Sequence, residues 1–297
     1  MKFVDVTNDI AFRKIFGNQN KKIALISFLN AVLYLPADKK VVDVTILNTY
    51  QLPKLRLGRA TIVDVKAKDQ HGNTFIVEMQ VSESADFTKR VLYYTSQSYI
   101  SQIERGDLYH KLTPVFFIGI LAFKATGNPS YINRHKVLDV ETGENVIADI
   151  DFTFIELPKF NLKDDEVKTI VEQWVYFIKN AENLDVIPEN ITDEGLIQAF
   201  EEADKHSWTK QELEEYDYMF MREQDERGKY ELAMKRALEA ATKQPVDIAT
   251  AKTALETAKT LIEGKIEIAR KLLERGMDMA FIIETTGLTK EEIEKFL

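Results

Sequence analysis

Apolar positions in the first half of the chain switch between helical and strand spacing. Two early segments repeat apolar side chains every three or four positions, which predicts helices. Later segments either alternate apolar and polar residues or are apolar throughout, which predicts strands with one further helix between them. In chain order the predicted elements are helices over 8–16 and 21–33, a strand over 40–51, a hairpin over 60–81, a helix over 86–106, and strands over 114–123, 131–140 and 149–157.

After Pro158 the pattern becomes helical and stays so to the end of the chain. Residues 163–184 place six apolar side chains on one helical stripe, and the rest is rich in Glu, Lys and Ala. We therefore expect an α/β fold, with a mixed sheet between helical layers, followed by an all-helical region. The expected divisions are a core over 1–160, a helical extension packed on or beside it over 161–240, and a helical tail over 241–297.

The hairpin "ATIVDVKAKDQHGNTFIVEMQV" has one apolar face and one face that carries charge. Side chains alternate along a strand, and the apolar faces of the two strands must coincide. A three-residue loop, His71-Gly72-Asn73, achieves this, with Gly72 or Asn73 in the left-handed region. Val63 then shares the apolar face of Val65 and Ala67. The same register predicts four opposed pairs: Val65 with Met79, Val63 with Val81, Asp64 with Gln80, and Lys66 with Glu78.

In this register Asp64 and Glu78 are diagonal neighbours, roughly 7–8 Å apart at Cα. Two carboxylates at that separation can bring their oxygens to one divalent ion, and Mg²⁺ prefers such hard ligands. The arrangement suits a metal-dependent phosphodiesterase. The other interpretation is a hairpin with its polar face in water, in which Lys66 and Glu78 form an ordinary exposed pair.

Composition narrows the chemistry further. The chain has no cysteine, which excludes disulfides, thiolate metal sites and a cysteine nucleophile, and which indicates a cytoplasmic protein. It has no run of about 18 apolar residues and no leader-like N-terminus, so we expect no membrane association. The four histidines lack the spacing of a zinc site, and no phosphate-binding glycine motif occurs.

The net charge of −9 is distributed unevenly. Residues 1–160 carry 20 Lys and Arg against 17 Asp and Glu, a net +3, and the remaining 19 and 31 leave −12 for residues 161–297. Five basic residues surround Asp64 in sequence, and such a local surface can bind phosphate even in an acidic protein. They are Lys54, Arg56, Arg59, Lys66 and Lys68. The alternative is a solvated strand edge whose lysines oppose aggregation.

These residues also resemble a family. Asp64, then thirteen residues, then Glu78-Met79-Gln80 resembles the D…(D/E)XK signature of the PD-(D/E)XK phosphodiesterases. The segments "TNDIAFRKIFGNQNKKIALISFLNAVL" and "RVLYYTSQSYISQIERGDLYHKLTPVFFIGIL" resemble one branch, the Rpn-type recombination-promoting nucleases, also described as transposases. The resemblance covers about residues 3–235, and the final "LLERGMDMAFIIETTGLTKEEIEKF" is similar to the tail of many members.

The resemblance implies a restriction-endonuclease-like α/β/α core that cuts double-stranded DNA with Mg²⁺, or with Mn²⁺ in its place. It assigns Asp64 and Glu78 as metal ligands. It also points to Asp9 on the first helix as a third, although an acid there can simply favour the helix dipole by about 0.3–1 kcal/mol. Gln80 stands where the superfamily usually has lysine, and an amide can only orient water or phosphate. Lys66 then becomes the candidate for the missing positive charge.

The DNA-binding candidates come from the basic stretch and from the helix that follows the hairpin. They are Arg56, Arg59, Lys68, Arg90 and Gln97. The competing hypothesis is a catalytically weak or inactive nuclease fold whose acidic helical region serves interaction or assembly.

The chain ends in a segment that looks like a helix-turn-helix. Its last helix carries Glu291, Glu292 and Glu294, which would oppose binding to phosphates. We therefore expect this end to act in assembly or docking, including homo-oligomers formed through the C-terminal helices, rather than as a reader of DNA.

Overall fold

The computed structural model describes residues 2–51, 61–83, 86–221 and 228. Arg56, Arg59 and the predicted tail over 241–297, with its helix-turn-helix-like end, lie outside these residues. The chain divides into two units, Met1–Arg222 and Glu223–Leu297. Apart from residue 228, all of the described residues belong to the first unit.

The elements of this unit follow the predicted order closely. In the part of the chain that the structure describes they are α1 (Asp9–Phe16), α2 (Ile23–Leu33), β1 (Val44–Ile46), β2 (Tyr50–Gln51), β3 (Thr61–Ile62), β4 (Val65–Asp69), β5 (Thr74–Gln80), α3 (Phe87–Ile100), β6 (Val115–Leu121), β7 (Ile132–Lys136), β8 (Ile150–Glu156), α4 (Ile170–Asn180) and α5 (Glu194–Ala203). A further helical segment covers 210–221. The strand predicted over 40–51 is divided into β1 and β2, which pair in different sheets.

Local signals place the helix ends. Asn8 caps α1 by accepting the Ile10 N–H at 3.0 Å, and the Gly17 N–H closes the helix on the Arg13 carbonyl at 2.8 Å. Thr169 and Glu172 form a capping box at the start of α4. This box explains why α4 begins well after residue 163.

The main sheet is mixed, with the strand order β1-β4-β5-β6-β8-β7. β5, β6 and β8 are parallel in the middle, whereas β1, β4 and β7 run antiparallel to their neighbours. β2 and β3 form a separate two-stranded sheet. The predicted α/β class with a mixed sheet is confirmed.

Helices cover both faces of this sheet. One face packs Val77 and Ile118 into a cluster with α1, α2, α4 and α5, which includes the ring of Trp174. The other face packs Ile76 and Phe117 against α3. The α/β/α layering is therefore confirmed. Within residues 2–51, 61–83 and 86–221, none of the helices has both the length and the apolar content that crossing a membrane requires.

One chain of hydrogen bonds joins three helices of the larger cluster. The buried indole of Trp174 on α4 donates to Ser27 Oγ on α2 at 3.0 Å, and Ser27 donates to Asp193 Oδ1 at 2.6 Å. Asp193 in turn caps α5 by accepting the Leu196 N–H at 2.8 Å. The beginning of α5 therefore lies directly against α2, with Gly195 at the contact.

This contact gives a prediction for Gly195→Ala. A Cβ at residue 195 would overlap the Ser27 Cβ and lie 2.7 Å from the Ile23 carbonyl oxygen. Alanine favours a helix over glycine by about 1 kcal/mol, but overpacking costs about 1–3 kcal/mol. We expect Gly195→Ala to lower the free energy of unfolding in urea. Gly127→Ala, where a Cβ meets nothing within 4 Å, is the control and should be close to neutral. A stabilised Gly195→Ala protein would contradict this packing.

Candidate active site

The hairpin at the centre of the predicted site forms, but in a different register. Val65 pairs with Val77, and Lys66 pairs with Ile76. The predicted pairs of Val65 with Met79, Asp64 with Gln80 and Lys66 with Glu78 are therefore wrong by two residues. A shift of two keeps the apolar faces together, which is why the hydrophobic pattern could not detect it.

The loop explains the shift. Asp69 accepts the N–H groups of His71 and Asn73 at 2.9 and 2.8 Å, and the Asn73 side chain also donates to it at 2.9 Å. The Asp69 N–H donates to the Asn73 carbonyl at 3.0 Å, so the loop is Gln70-His71-Gly72 and begins one residue earlier than expected. Gly72 has φ +85, as a three-residue hairpin loop requires.

The first strand is also interrupted next to Asp64. The Leu47 N–H donates to the Lys66 carbonyl, and the Val63 N–H donates to the Thr49 carbonyl, at 2.7 and 3.1 Å. The two steps from Leu47 to Thr49 thus match the three steps from Lys66 to Val63. The second strand therefore has one extra residue next to Asp64, which is a β-bulge. Val65 packs in the larger cluster, whereas Val63 packs with α3, so their predicted common face is also wrong.

Register and bulge together bring Asp64 level with Glu78. The last regular pair is Val65 with Val77, and the next positions along the two strands are Asp64 and Glu78. Asp64 is 8% exposed, and its Oδ2 accepts the Met79 N–H at 2.9 Å. The two carboxylates are near enough for the charge of Asp64 to raise the pKa of Glu78.

Arg13 on α1 is the second partner of Asp64. Its Nη2 donates to Asp64 Oδ1 at 2.9 Å. Burial opposes the charge of Arg13, but the hydrogen bond to Asp64 and the charges of Asp64, Asp9 and Glu78 raise its pKa. Sequence reasoning did not select Arg13. Its position one helical turn after Asp9 was the available signal.

Glu78 lies deeper than Asp64, at 4% exposed, and is unevenly satisfied. Its Oε2 accepts from Gln80, whereas its Oε1 is buried and has no hydrogen-bond partner. Burial, followed by the charge of Asp64, raises the pKa of Glu78 well above its usual range. The charge of Arg90, a hydrogen bond from the Asp64 backbone and the charge of Arg13 oppose this rise. A buried carboxylate with a bare oxygen and an acidic neighbour favours a cation at that point.

Gln80 connects Glu78 to the helix α3 through hydrogen bonds. Its Nε2 donates to Glu78 Oε2 and to the Met79 carbonyl, both at 3.1 Å, and its Oε1 accepts from Arg90 on α3. Arginine can only donate, so the amide oxygen of Gln80 must face Arg90 and the amide nitrogen must face the carboxylate. The predicted DNA-binding residue Arg90 is thus part of the carboxylate site.

The carboxylate oxygens at this site supply some, but not all, of the ligands that a divalent metal ion needs. Asp64 and Glu78 are both buried carboxylates, and Glu78 Oε1 has no hydrogen-bond partner. Asp9 lies near enough to influence the pKa of Arg13. In the described part of the chain, however, no three acidic or histidine side chains form a metal-binding group. Asp9 as a third ligand stays a prediction.

The other predicted residues lie farther from this pair. Lys66 is opposite Ile76, and burial, then the charge of Lys68, lowers its pKa. Lys66 therefore does not face Glu78 as expected. Lys68 is four residues from Asp64, about 13 Å along the strand. Gln97 is 4% exposed, so the structure does not bring its side chain to an accessible surface for DNA.

Two family models match the chain. One, described as PD-(D/E)XK nuclease family transposase, matches residues 6–237. The other, described as Rpn/YhgA-like nuclease family, C-terminal HTH domain, matches residues 263–296. The resemblance identified from the sequence is confirmed. No curated protein and no solved structure shows significant similarity to the chain.

Burial of Glu78 predicts a stability effect for Glu78→Gln. The pKa of Glu78 is higher in the folded chain than its unfolded value of 4.5, so the folded protein binds more protons. The contribution of Glu78 to the free energy of unfolding is therefore largest below pH 4.5. It falls as the pH rises from 4.5 through the pKa of Glu78 in the folded chain. Glutamine is neutral and can still accept from Gln80. Without metal, we expect Glu78→Gln to melt at a higher temperature than the wild type near neutral pH.

The melting-temperature difference should shrink as the pH falls toward about 4.5, because the wild-type carboxyl then becomes neutral too. Thermal melts in EDTA across this range measure it. Glu104→Gln, at an exposed carboxyl, is the matched control and should show little change. A Glu78→Gln protein that melts below the wild type at every pH would contradict the burial argument.

Proposed function

Because the chain belongs to the PD-(D/E)XK nuclease family transposases, we propose that it is a metal-dependent endonuclease that hydrolyses phosphodiester bonds of double-stranded DNA. The observation that carries this is the buried pair of Asp64 and Glu78, with Glu78 Oε1 lacking a hydrogen-bond partner. Two carboxylates buried together repel each other, and a divalent cation removes that repulsion.

Asp64 and Glu78 would hold the ion, and Mg²⁺ fits an oxygen-only donor set, with Mn²⁺ as a substitute. A bound ion supplies charge stabilisation at the phosphate and activates water for attack. The chain's own part is positional. The Met79 N–H fixes the orientation of Asp64, and the Gln80 amide fixes that of Glu78.

We assign to Arg90 the positive charge that lysine usually provides at the position of Gln80. Gln80 cannot carry charge, but its oxygen accepts from Arg90 while its nitrogen donates to Glu78. Arg90 is partly exposed and already lowers the pKa of Glu78. A guanidinium at this position can also bind a phosphate oxygen.

DNA as the partner is supported from two directions. Residues 1–160 are net basic although the whole chain is acidic. The match of residues 263–296 to a C-terminal HTH domain also suggests DNA binding. The match argues against our expectation that this end does not read DNA, and the assembly role that its three glutamates favour stays a prediction.

The direct test is cleavage of plasmid DNA. We expect nicking or cutting with Mg²⁺ or Mn²⁺ and none with EDTA. Asp64→Asn and Glu78→Gln should each lower the rate by at least about a hundredfold, because loss of a metal ligand costs at least as much as loss of its supporting groups. Asp43→Asn, at an exposed carboxylate, should cleave normally. Folded protein that binds DNA but never cleaves it would favour the alternative of an inactive, interaction-only nuclease fold.

The role of Arg90 is tested by moving its charge. Gln80→Lys alone would place an ammonium against Arg90 and remove its acceptor, so we expect about a tenfold lower rate, equivalent to about 1.4 kcal/mol of barrier. Arg90→Gln should also be slow. The double variant Gln80→Lys/Arg90→Gln returns one cation to the strand, and we expect it to recover activity above either single change. If Arg90→Gln cleaved DNA at the wild-type rate, Arg90 would have no part in catalysis.

A further inference from the structure

Both oxygens of Asp64 already have protein partners. Oδ2 accepts the Met79 backbone N–H, and Oδ1 accepts Arg13 Nη2, each at 2.9 Å. Glu78 differs, since its Oε1 has none. Of the two proposed metal ligands, Asp64 must therefore give up or share a partner, whereas Glu78 need not.

The two partners of Asp64 are not equally exchangeable. The Met79 N–H belongs to β5, which pairs on both sides within the sheet. Arg13 reaches Asp64 at the end of a long side chain that is 46% exposed. Rotation of that side chain moves the guanidinium without moving the backbone of α1. Arg13 is thus the partner that can leave.

A guanidinium and a divalent ion on the same carboxylate oxygen repel each other, since both carry positive charge. The guanidinium, moreover, matches the geometry of a phosphate group as well as that of a carboxylate. One arginine can therefore serve two anions in turn.

We propose that Arg13 is an exchangeable counter-ion: it pairs with Asp64 in the metal-free protein and transfers to a DNA phosphate when Asp64 binds a divalent ion. The proposal rests on the proposed function. It makes Arg13 a phosphate-positioning residue that also competes with the metal. In the metal-bound state Asp64 and Glu78 together match the two charges of the ion, while Arg13 exchanges the Asp64 carboxylate for a phosphate.

The proposal has one distinguishing consequence: removing the charge of Arg13 should raise the affinity of the protein for a divalent ion. In the full-length protein without DNA, we expect Arg13→Gln to bind Mn²⁺ about tenfold more tightly than the wild type, a typical size for coupling between ligands. Electron paramagnetic resonance of free Mn²⁺ measures the Kd. Binding of uncleaved duplex DNA in Ca²⁺ should instead weaken, with the salt dependence reduced by about one phosphate contact.

Two matched variants control this experiment. Lys111→Gln removes one positive charge from the ion pair with Asp107, at the end of the parallel strands opposite to Gln80, and should leave the Kd for Mn²⁺ unchanged. Arg13→Lys keeps the charge but not the planar fork, and should bind Mn²⁺ within about threefold of the wild type. If Arg13→Gln does not fold, Arg13→Ala gives the same test, since alanine also removes the charge and favours the helix.

The outcomes separate the two proposals. If Asp64→Asn abolishes Mn²⁺ binding but Arg13→Gln binds no more tightly than the wild type, the counter-ion role is wrong and the metal site stands. If Arg13→Gln weakens Mn²⁺ binding, Arg13 only supports the structure of Asp64 and the inference is again overturned. If neither the wild type nor Arg13→Gln binds Mn²⁺ at millimolar concentration, the metal-dependent function itself fails, and this inference with it.

Discussion

The burial of Asp64 beside Glu78 is the constraint on which the rest of the site depends. Two carboxylates in a poorly solvated position repel each other and lose hydration, so the folded chain must compensate them. It does so with Arg13, the Met79 N–H and Gln80, yet Glu78 Oε1 is left without a hydrogen bond and the pKa of Glu78 stays high. Such incomplete compensation lowers the stability of the metal-free protein and leaves the site able to gain from a cation.

Two local features set the position of this pair. The Asp69 side chain closes the hairpin loop one residue early, which brings Asp64 level with Glu78. The bulge between Val63 and Val65 turns the strand at Asp64 itself. The effect of both features is to place a polar side chain that a regular ladder would have put elsewhere.

These same features mark the limit of what the sequence could predict. Hydrophobic spacing predicted the main helices and strands and a mixed sheet between helical layers, because burial of one face is what the spacing encodes. It also identified Asp64, Glu78 and Gln80. It could not fix the hairpin register, since a shift of two residues keeps every apolar side chain on the same face. It missed Arg13 because the partner of a buried carboxylate came from a helix 51 residues away in sequence.

The replacement of a strand lysine by Gln80 changes where the positive charge of the site comes from. A lysine on β5 would be fixed by the sheet alone. Here Arg13 comes from α1, which packs on one face of the sheet, and Arg90 comes from α3, which packs on the other. Arg13 thus binds Asp64 directly from one layer, whereas Arg90 binds Gln80, the partner of Glu78, from the other. The charge balance of the site then depends on the docking of both helices, which links the apolar packing of the α/β/α fold directly to the chemistry at its centre.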